Sequence, residues 1–261
     1  MFSHSNYEGK SLGNKALGPN WLFDCGNART YQRVVRQYLH WAGINRLFGL
    51  LLTHGDALHL GGTAQLLDDF PKVRVVDNAT PDHSGAHRNV QHLFRERGIK
   101  LNNLFAGDSF RLSRDVTAHV LFPPRNFSAP IADDQAYVIH LVVAPATGIL
   151  FMSDSGIKTE QALLASGLNL QSDIVIKGQN HSGESGSDAF LDATRPRLII
   201  ATSRDFPDYE RISDAWVENI RKRGIKLFRQ DEAGAVTLSF RQDSWEAQSY
   251  FTGETFRSSS H

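Results

Sequence analysis

Apolar residues along this chain fall into short continuous runs, separated by stretches in which they recur at helical spacing. Trp21-Leu-Phe-Asp24, Leu47–Thr53, Val73–Val76 and Val116–Phe122 have strand length, and Pro123-Pro124 stops the last of them. Runs that are apolar at successive positions suit strands covered on both faces. Thr30–Ala42, Gly62–Asp69 and Ala86–Arg97 carry apolar residues at helical spacing, with Gly98 closing the third. In the second half, Ala136–Ala144 and Ile149–Met152 are joined through Pro145 and Gly148 and are predicted to form a hairpin. Helices over Lys158–Ala165, Asp188–Thr194 and Ser213–Arg223 then alternate with strands over Ile174–Ile176, Leu198–Thr202, Phe228–Arg229 and Ala235–Phe240. Hairpins mixed with strand–helix units predict an α/β (α+β) sandwich, two mixed sheets inside and helices outside. The expected organisation is a polar N-terminal segment 1–19, one domain over 20–242, and a partly disordered extension 243–261.

Composition narrows the class. With 261 residues, 41% hydrophobic and 21% charged, the chain has the balance of a globular protein with a real core. Lys plus Arg and Asp plus Glu both number 28, so no global charge draws it to nucleic acid or to an anionic membrane. Cys25 is the only cysteine, which excludes an intrachain disulfide partner. No apolar run approaches the roughly 20 residues of a membrane-spanning helix. The first residues lack the apolar core of a secretory signal.

The candidate chemistry concentrates in Thr53-His-Gly-Asp-Ala-Leu-His-Leu-Gly-Gly62, directly after a buried strand. His54, Asp56 and His59 are oxygen and nitrogen ligand types that suit zinc, manganese or iron. One loop cannot close such a site, so further ligands must come from other strand ends. Asp154 ends the run from Ile149, His181 follows the run from Asp173, and Asp24 ends the first strand.

These segments resemble, in order and context, the metallo-β-lactamase-fold hydrolases, most closely the C-terminal domain of ComEC-type DNA-uptake proteins. Phe23-Asp24-Cys25-Gly26 is similar to a strand ending in Asp-Gly-Gly. Residues 53–62 are similar to Thr-His-x-Asp-x-Asp-His-x-Gly-Gly, and Leu121-Phe-Pro-Pro124 to Leu-x-Pro-Pro. Ser153-Asp154 matches a strand ending in Gly-Asp, and Lys177-Gly-Gln-Asn-His181-Ser-Gly is a looser match to Lys-x-x-His-His-Gly-Ser. The likeness spans roughly residues 20 to 240 and implies an αββα sandwich. It also implies that His54 and Asp56 bind a first metal, that Asp154 bridges to a second, and that His59 and His181 serve the second. Asp56 and Asp154 become the catalytic carboxylates. Asp24 becomes an anchor beneath the site that hydrogen-bonds the motif loop, and Asp133 or Asp134 a source of a fourth ligand. The implied cofactor is Zn or Mn, and the implied partners are single- or double-stranded DNA and a membrane channel protein. The implied location is the cytoplasm, or a membrane reached through that partner.

The chain departs from the family pattern at three places. Leu58 stands where a carboxylate is expected, Asn180 precedes the lone His181, and residues 1–20 lack the hairpin with which relatives begin. One ion is therefore expected rather than two, and a first sheet one or two strands short. Two readings remain: a hydrolase whose metal-activated water attacks a nucleic-acid phosphodiester, or a catalytically degenerate binding domain of the same fold. His83 and His87, near Asp82 in a Pro/Gly/Ser loop, are read as solvated.

Overall fold

The computed structural model describes residues 19–78, 80, 84–180, 185–203, 211–241 and 244–258. One sheet contains β1 (Trp21–Phe23), β2 (Gly49–Leu51), β3 (Arg74–Asp77) and β4 (Leu101–Asn103), in that order and all parallel. The second is built from β5 (Ser109–Arg111), β6 (Val116–Phe122), β7 (Val138–Val143), β8 (Thr147–Ser153), β9 (Ile174–Lys177), β10 (Leu198–Ala201) and β11 (Lys226–Arg229), in reverse order across the sheet. It is antiparallel from β5 to β8 and parallel from β8 to β11.

The period of two along each strand divides the core into layers. Leu51 of β2, Val76 of β3, Ile174 of β9 and Leu198 of β10 face the space between the sheets, joined there by Trp21, Ile139 and Leu141. Their neighbours Leu50, Val75, Val175 and Ile199 turn outward beneath helices. Tyr31, Leu39, Leu66 and Phe94 cover the first sheet, from helices over 28–41, Thr63–Asp69 and Gly85–Glu96. Leu163, Phe190, Trp216 and Ile220 cover the second, from helices Ile157–Ala165, Asp188–Thr194 and Asp214–Lys222. The result is an αββα sandwich.

Several elements differ from expectation. Strands β4 and β5 have only half-buried and exposed side chains, so they carry no apolar run that marks a strand. The helix 28–41 contains a π-helical turn at Tyr31–Val35. Within 243–261, β13 (Trp245–Ser249) and β14 (Thr255–Arg257) pair antiparallel with β12 (Val236–Phe240), and Trp245 and Ala247 enter the inter-sheet core. His87 is not solvated: it is buried on its helix, with Nε2 3.1 Å from each oxygen of buried Asp77. His83 and Asp82 lie outside the described residues. No helix among the described residues is long and apolar enough to cross a membrane.

Gly49 shows how tightly the first sheet is packed. The indole of Trp21 lies flat against it, and a Cβ there would overlap the ring. Trp21 has little room to retreat, because its Nε1 donates to Leu112 O at 3.1 Å. Gly49→Ala is expected to destabilise the fold by about 1–3 kcal/mol through overpacking, read as a lower urea midpoint at unchanged slope.

Candidate metal centre

The carboxyl ends of β1, β2, β8 and β9 meet at one edge of the sandwich, and the chain's chemistry collects there. The meeting point is the hydroxyl of Thr53, fully buried just beyond β2. A carboxylate only accepts, so Thr53 Oγ1 donates its one proton to Asp24 Oδ2 at 2.7 Å. Its lone pairs then accept from Ser153 Oγ at 2.9 Å and from His54 Nδ1 at 2.8 Å. Asp24 Oδ1 takes the Thr53 backbone N–H at 2.8 Å. Three strand ends from two sheets are thus tied to one oxygen.

That network sets the tautomer of His54. With Nδ1 donating to Thr53, the lone pair of Nε2 points into the site. The residue is 2% exposed, and Nε2 has no hydrogen-bond partner among the described residues. Its nearest charged neighbours are Asp133 Oδ1 at 3.7 Å and Asp154 Oδ2 at 3.9 Å. Burial, then the nearby charge of His59, holds the His54 pKa below its ordinary value. A neutral imidazole lone pair facing two carboxylate oxygens lacks a proton to share with them. That donor set fits a divalent cation.

His59 is held differently. Its Nδ1 lies 2.9 Å from Asp24 Oδ2 and its Nε2 2.8 Å from Asp154 Oδ2. Burial alone would lower its pKa, but the hydrogen bonds to Asp154 and Asp24 outweigh it and push the value up to about 11. At neutral pH it is an imidazolium clamped between two carboxylates. Burial raises the Asp154 pKa, and the His59 hydrogen bond together with the charges of His59 and Lys177 outweighs that and holds it below the usual range.

The backbone is shaped around these groups. Asp24 (φ 56°) and Ser153 (φ 48°) both adopt the left-handed conformation, uncommon outside glycine. Gly178 lies directly behind Asp154, where a Cβ would overlap Oδ1. Asn180 Nδ2 donates to Asp154 O at 2.9 Å. Asp56 caps the short helix Ala57–Leu60, its Oδ1 accepting from Leu58 N at 2.6 Å. The turn Asp133–Gln135 brings two buried carboxylates to the rim, and Asp134 takes Lys158 Nζ at 3.3 Å. Among the described residues two groups have ligand atoms within 4.8 Å of one another: Asp24, His54 and His59, and His54, Asp56 and Asp133.

No family model matches the chain. In solved structures its fold is similar to YhfI from Bacillus subtilis, a metallo-β-lactamase fold protein, at a TM-score of 0.50 and 12% identity over 80% of this chain and 81% of that one. The chain has the metallo-β-lactamase fold. A variant of the β-hydroxylase CmlA is also similar, at a TM-score of 0.50 and 14% identity over 71% of this chain and 43% of that one. In sequence this metallo-β-lactamase-fold chain is 26% identical to competence protein ComA of Neisseria gonorrhoeae over 242 residues, 92% of this chain and 32% of that protein. It is 21% identical to ComE operon protein 3 of Bacillus subtilis (strain 168) over 210 residues, 80% of this chain and 27% of that protein. It therefore spans about a third or less of the length of these relatives.

Within this fold the structure brings His54, Asp56, His59, Asp154 and Asp24 to one edge, with Asp133 beside His54. His181 lies outside the described residues. Leu58 projects outward, 45% exposed. Sequence reasoning missed Thr53 and Ser153 as the link between sheets. It also missed Asn78, whose Nδ2 donates to Thr53 O and Gln135 O, both at 2.8 Å. Their signal was position: each directly follows or ends a strand at the edge where the ligand types gather.

Thr53→Val keeps the shape and deletes the shared oxygen, leaving Asp24 Oδ2, His54 Nδ1 and Ser153 Oγ each short of a buried partner. A loss of at least about 1–3 kcal/mol is expected in urea unfolding, and Thr53→Ser should recover most of it.

Proposed function

We propose that the chain is a metal-dependent hydrolase with one principal ion, acting on a nucleic-acid phosphodiester. The observation that carries the reading is His54 Nε2, a buried lone pair without a hydrogen-bond partner among the described residues, facing Asp133 and Asp154. His54, Asp56, Asp133 and Asp154 would hold the ion, Zn or Mn. When bound, such an ion lowers the pKa of a coordinated water towards about 7, so that hydroxide is available at neutral pH. Thr53 and Asp24 fix the rings of His54 and His59, the support that metal-ligating histidines need. The ComEC-type resemblance and the similarity to two competence proteins support DNA as the favoured substrate, and with it a role in DNA uptake beside a membrane channel partner.

A second reading, a binding domain that has lost the chemistry, is favoured by Leu58 and by the saturation of His59. Both nitrogens of His59 already serve carboxylates, and Leu58 offers no ligand. With one group missing, a rate roughly a hundredfold below that of a complete site is expected.

Elemental analysis together with hydrolysis of bis(p-nitrophenyl) phosphate separates the two. The proposal expects close to one Zn or Mn per chain, and activity lost in EDTA and restored by either ion. His54→Ala should lose the ion and lower the rate by about a hundredfold or more. Leu58→Asp should raise metal content or rate. Its second-ion affinity should climb with pH, because the Nε2 proton of His59 must leave first. No metal uptake by wild type, or a rate indifferent to His54→Ala, would establish the binding-domain reading.

A further inference from the structure

The helix over 28–41 begins four residues after Asp24 and runs away from the candidate metal centre. From Cys25 to Gly55 the sequence contains no acidic residue, yet it carries Arg29, Arg33, Arg36 and Arg46 in a chain of zero formal charge. Arg36 is committed to Asp69 at 2.9 Å. The side chains of exposed Arg29, Arg33 and Arg46 have no hydrogen-bond or ion-pair partner among the described residues.

Beside these arginines the same helix exposes a stripe at spacings of four and three: Val34 (60% exposed), Tyr38 (44%) and Trp41 (83%). The Tyr38 and Trp41 rings lie 5.9 Å apart at 39°, already neighbours on the surface. Three of the chain's four tryptophans are buried in the core. An exposed tryptophan beside an exposed tyrosine is the kind of apolar patch that marks a binding surface.

We propose that this face binds single-stranded nucleic acid, with Trp41 and Tyr38 stacking on unpaired bases and Arg29, Arg33 and Arg46 following the phosphates. Stacking platforms beside basic tracks are the physics of single-strand binding. A duplex hides the base faces that these rings would meet. A protein partner would place an apolar centre on the stripe, but Val34 is its only aliphatic residue, and arginine, Gln37 and His40 surround it. At about 1.5 Å per residue, the fourteen positions of the helix span about 21 Å, long enough for several nucleotides leading towards the metal edge. The inference rests on the reading of the substrate as nucleic acid.

The test is fluorescence anisotropy of a labelled oligothymidylate with the full chain in EDTA, where metal-dependent cleavage is silent. Trp41→Ala is expected to weaken binding by roughly tenfold. Arg29→Glu/Arg33→Glu should weaken it further and flatten its salt dependence by about two phosphate contacts. Acrylamide should quench Trp41 freely, and the oligonucleotide should protect it. The proposal is overturned if wild type does not bind at 50 mM salt, or if binding ignores both variants. It is equally overturned if Trp41 is shielded in the free chain, which would mean that another segment or a second copy covers the face. Tighter binding to anionic phosphatidylglycerol vesicles than to the oligonucleotide, lost in Trp41→Ala, would overturn it in favour of a membrane. Hydrolysis of bis(p-nitrophenyl) phosphate keeps the two readings apart. Hydrolysis without oligonucleotide binding removes this surface and leaves the hydrolase, and binding through Trp41 without hydrolysis does the reverse.

Discussion

A single hydroxyl oxygen, Thr53 Oγ1, holds the working edge of this protein together. Its proton goes to Asp24 on the strand beside it, and its lone pairs receive His54 and Ser153. Asp24 belongs to the first sheet and Ser153 to the second, so the oxygen joins the two halves of the sandwich where their apolar faces end. Because a carboxylate cannot donate, each hydrogen in the network has one possible direction. The exposed lone pair of His54 is a consequence of that directionality, and no choice of rotamer at His54 alone would produce it. A buried polar network is stable only when every member is satisfied, and here each group is satisfied except the atom that faces the centre of the site.

His59 shows how the same edge copes with its own charge. Asp24, Asp133 and Asp154 bring negative charge into a poorly solvated space. The imidazolium of His59 lies between two of them and neutralises part of it. A proton on His59 thus does some of what a second cation would do. This links the departure at Leu58 to the rest of the site. With Leu58 in place of a carboxylate, His59 is held by Asp24 and Asp154 alone, while burial and the neighbouring His59 keep the His54 pKa low. One side of the site presents a buried imidazole nitrogen without a hydrogen-bond partner among the described residues, and on the other His59 bridges two carboxylates.

The fold was legible wherever burial wrote a pattern. Leu47–Thr53 and Ile149–Met152 read as strands because both of their faces are covered, leaving continuous apolar runs, and Val116–Phe122 because its buried residues alternate with half-buried and exposed ones. Strands β4 and β5 were silent because they sit at sheet edges with exposed side chains. Of the strands after residue 243, β13 was silent because its buried residues, Trp245, Ala247 and Ser249, alternate with polar ones, and β14 because none of its residues is buried. The ligand types at 54, 56, 59 and 154 were visible through their spacing and their place after strands. Thr53, Ser153 and Asn78 were not, since small polar residues at strand ends are common and their meaning lies in contacts across 100 and 25 positions of chain. His87 was misread for a related reason: its partner, Asp77, ends the preceding strand, and only the packing of helix on sheet brings the two together.

The fold and the chemistry of this chain are separable. The three apolar clusters lie between the sheets and under the helices, and none of the metal-site side chains belongs to them. Asp24, His59 and Asp154 hydrogen-bond one another at the edge of the sandwich. Leu58 is 45% exposed on a four-residue helix and belongs to none of the three apolar clusters. A family pattern can therefore erode at that position with little penalty in stability, while the strand ends that set the tautomer of His54 are held by both sheets and resist change. The position freest to change is 58, on the exposed face of a short helix, and the positions least free are the strand ends that orient His54.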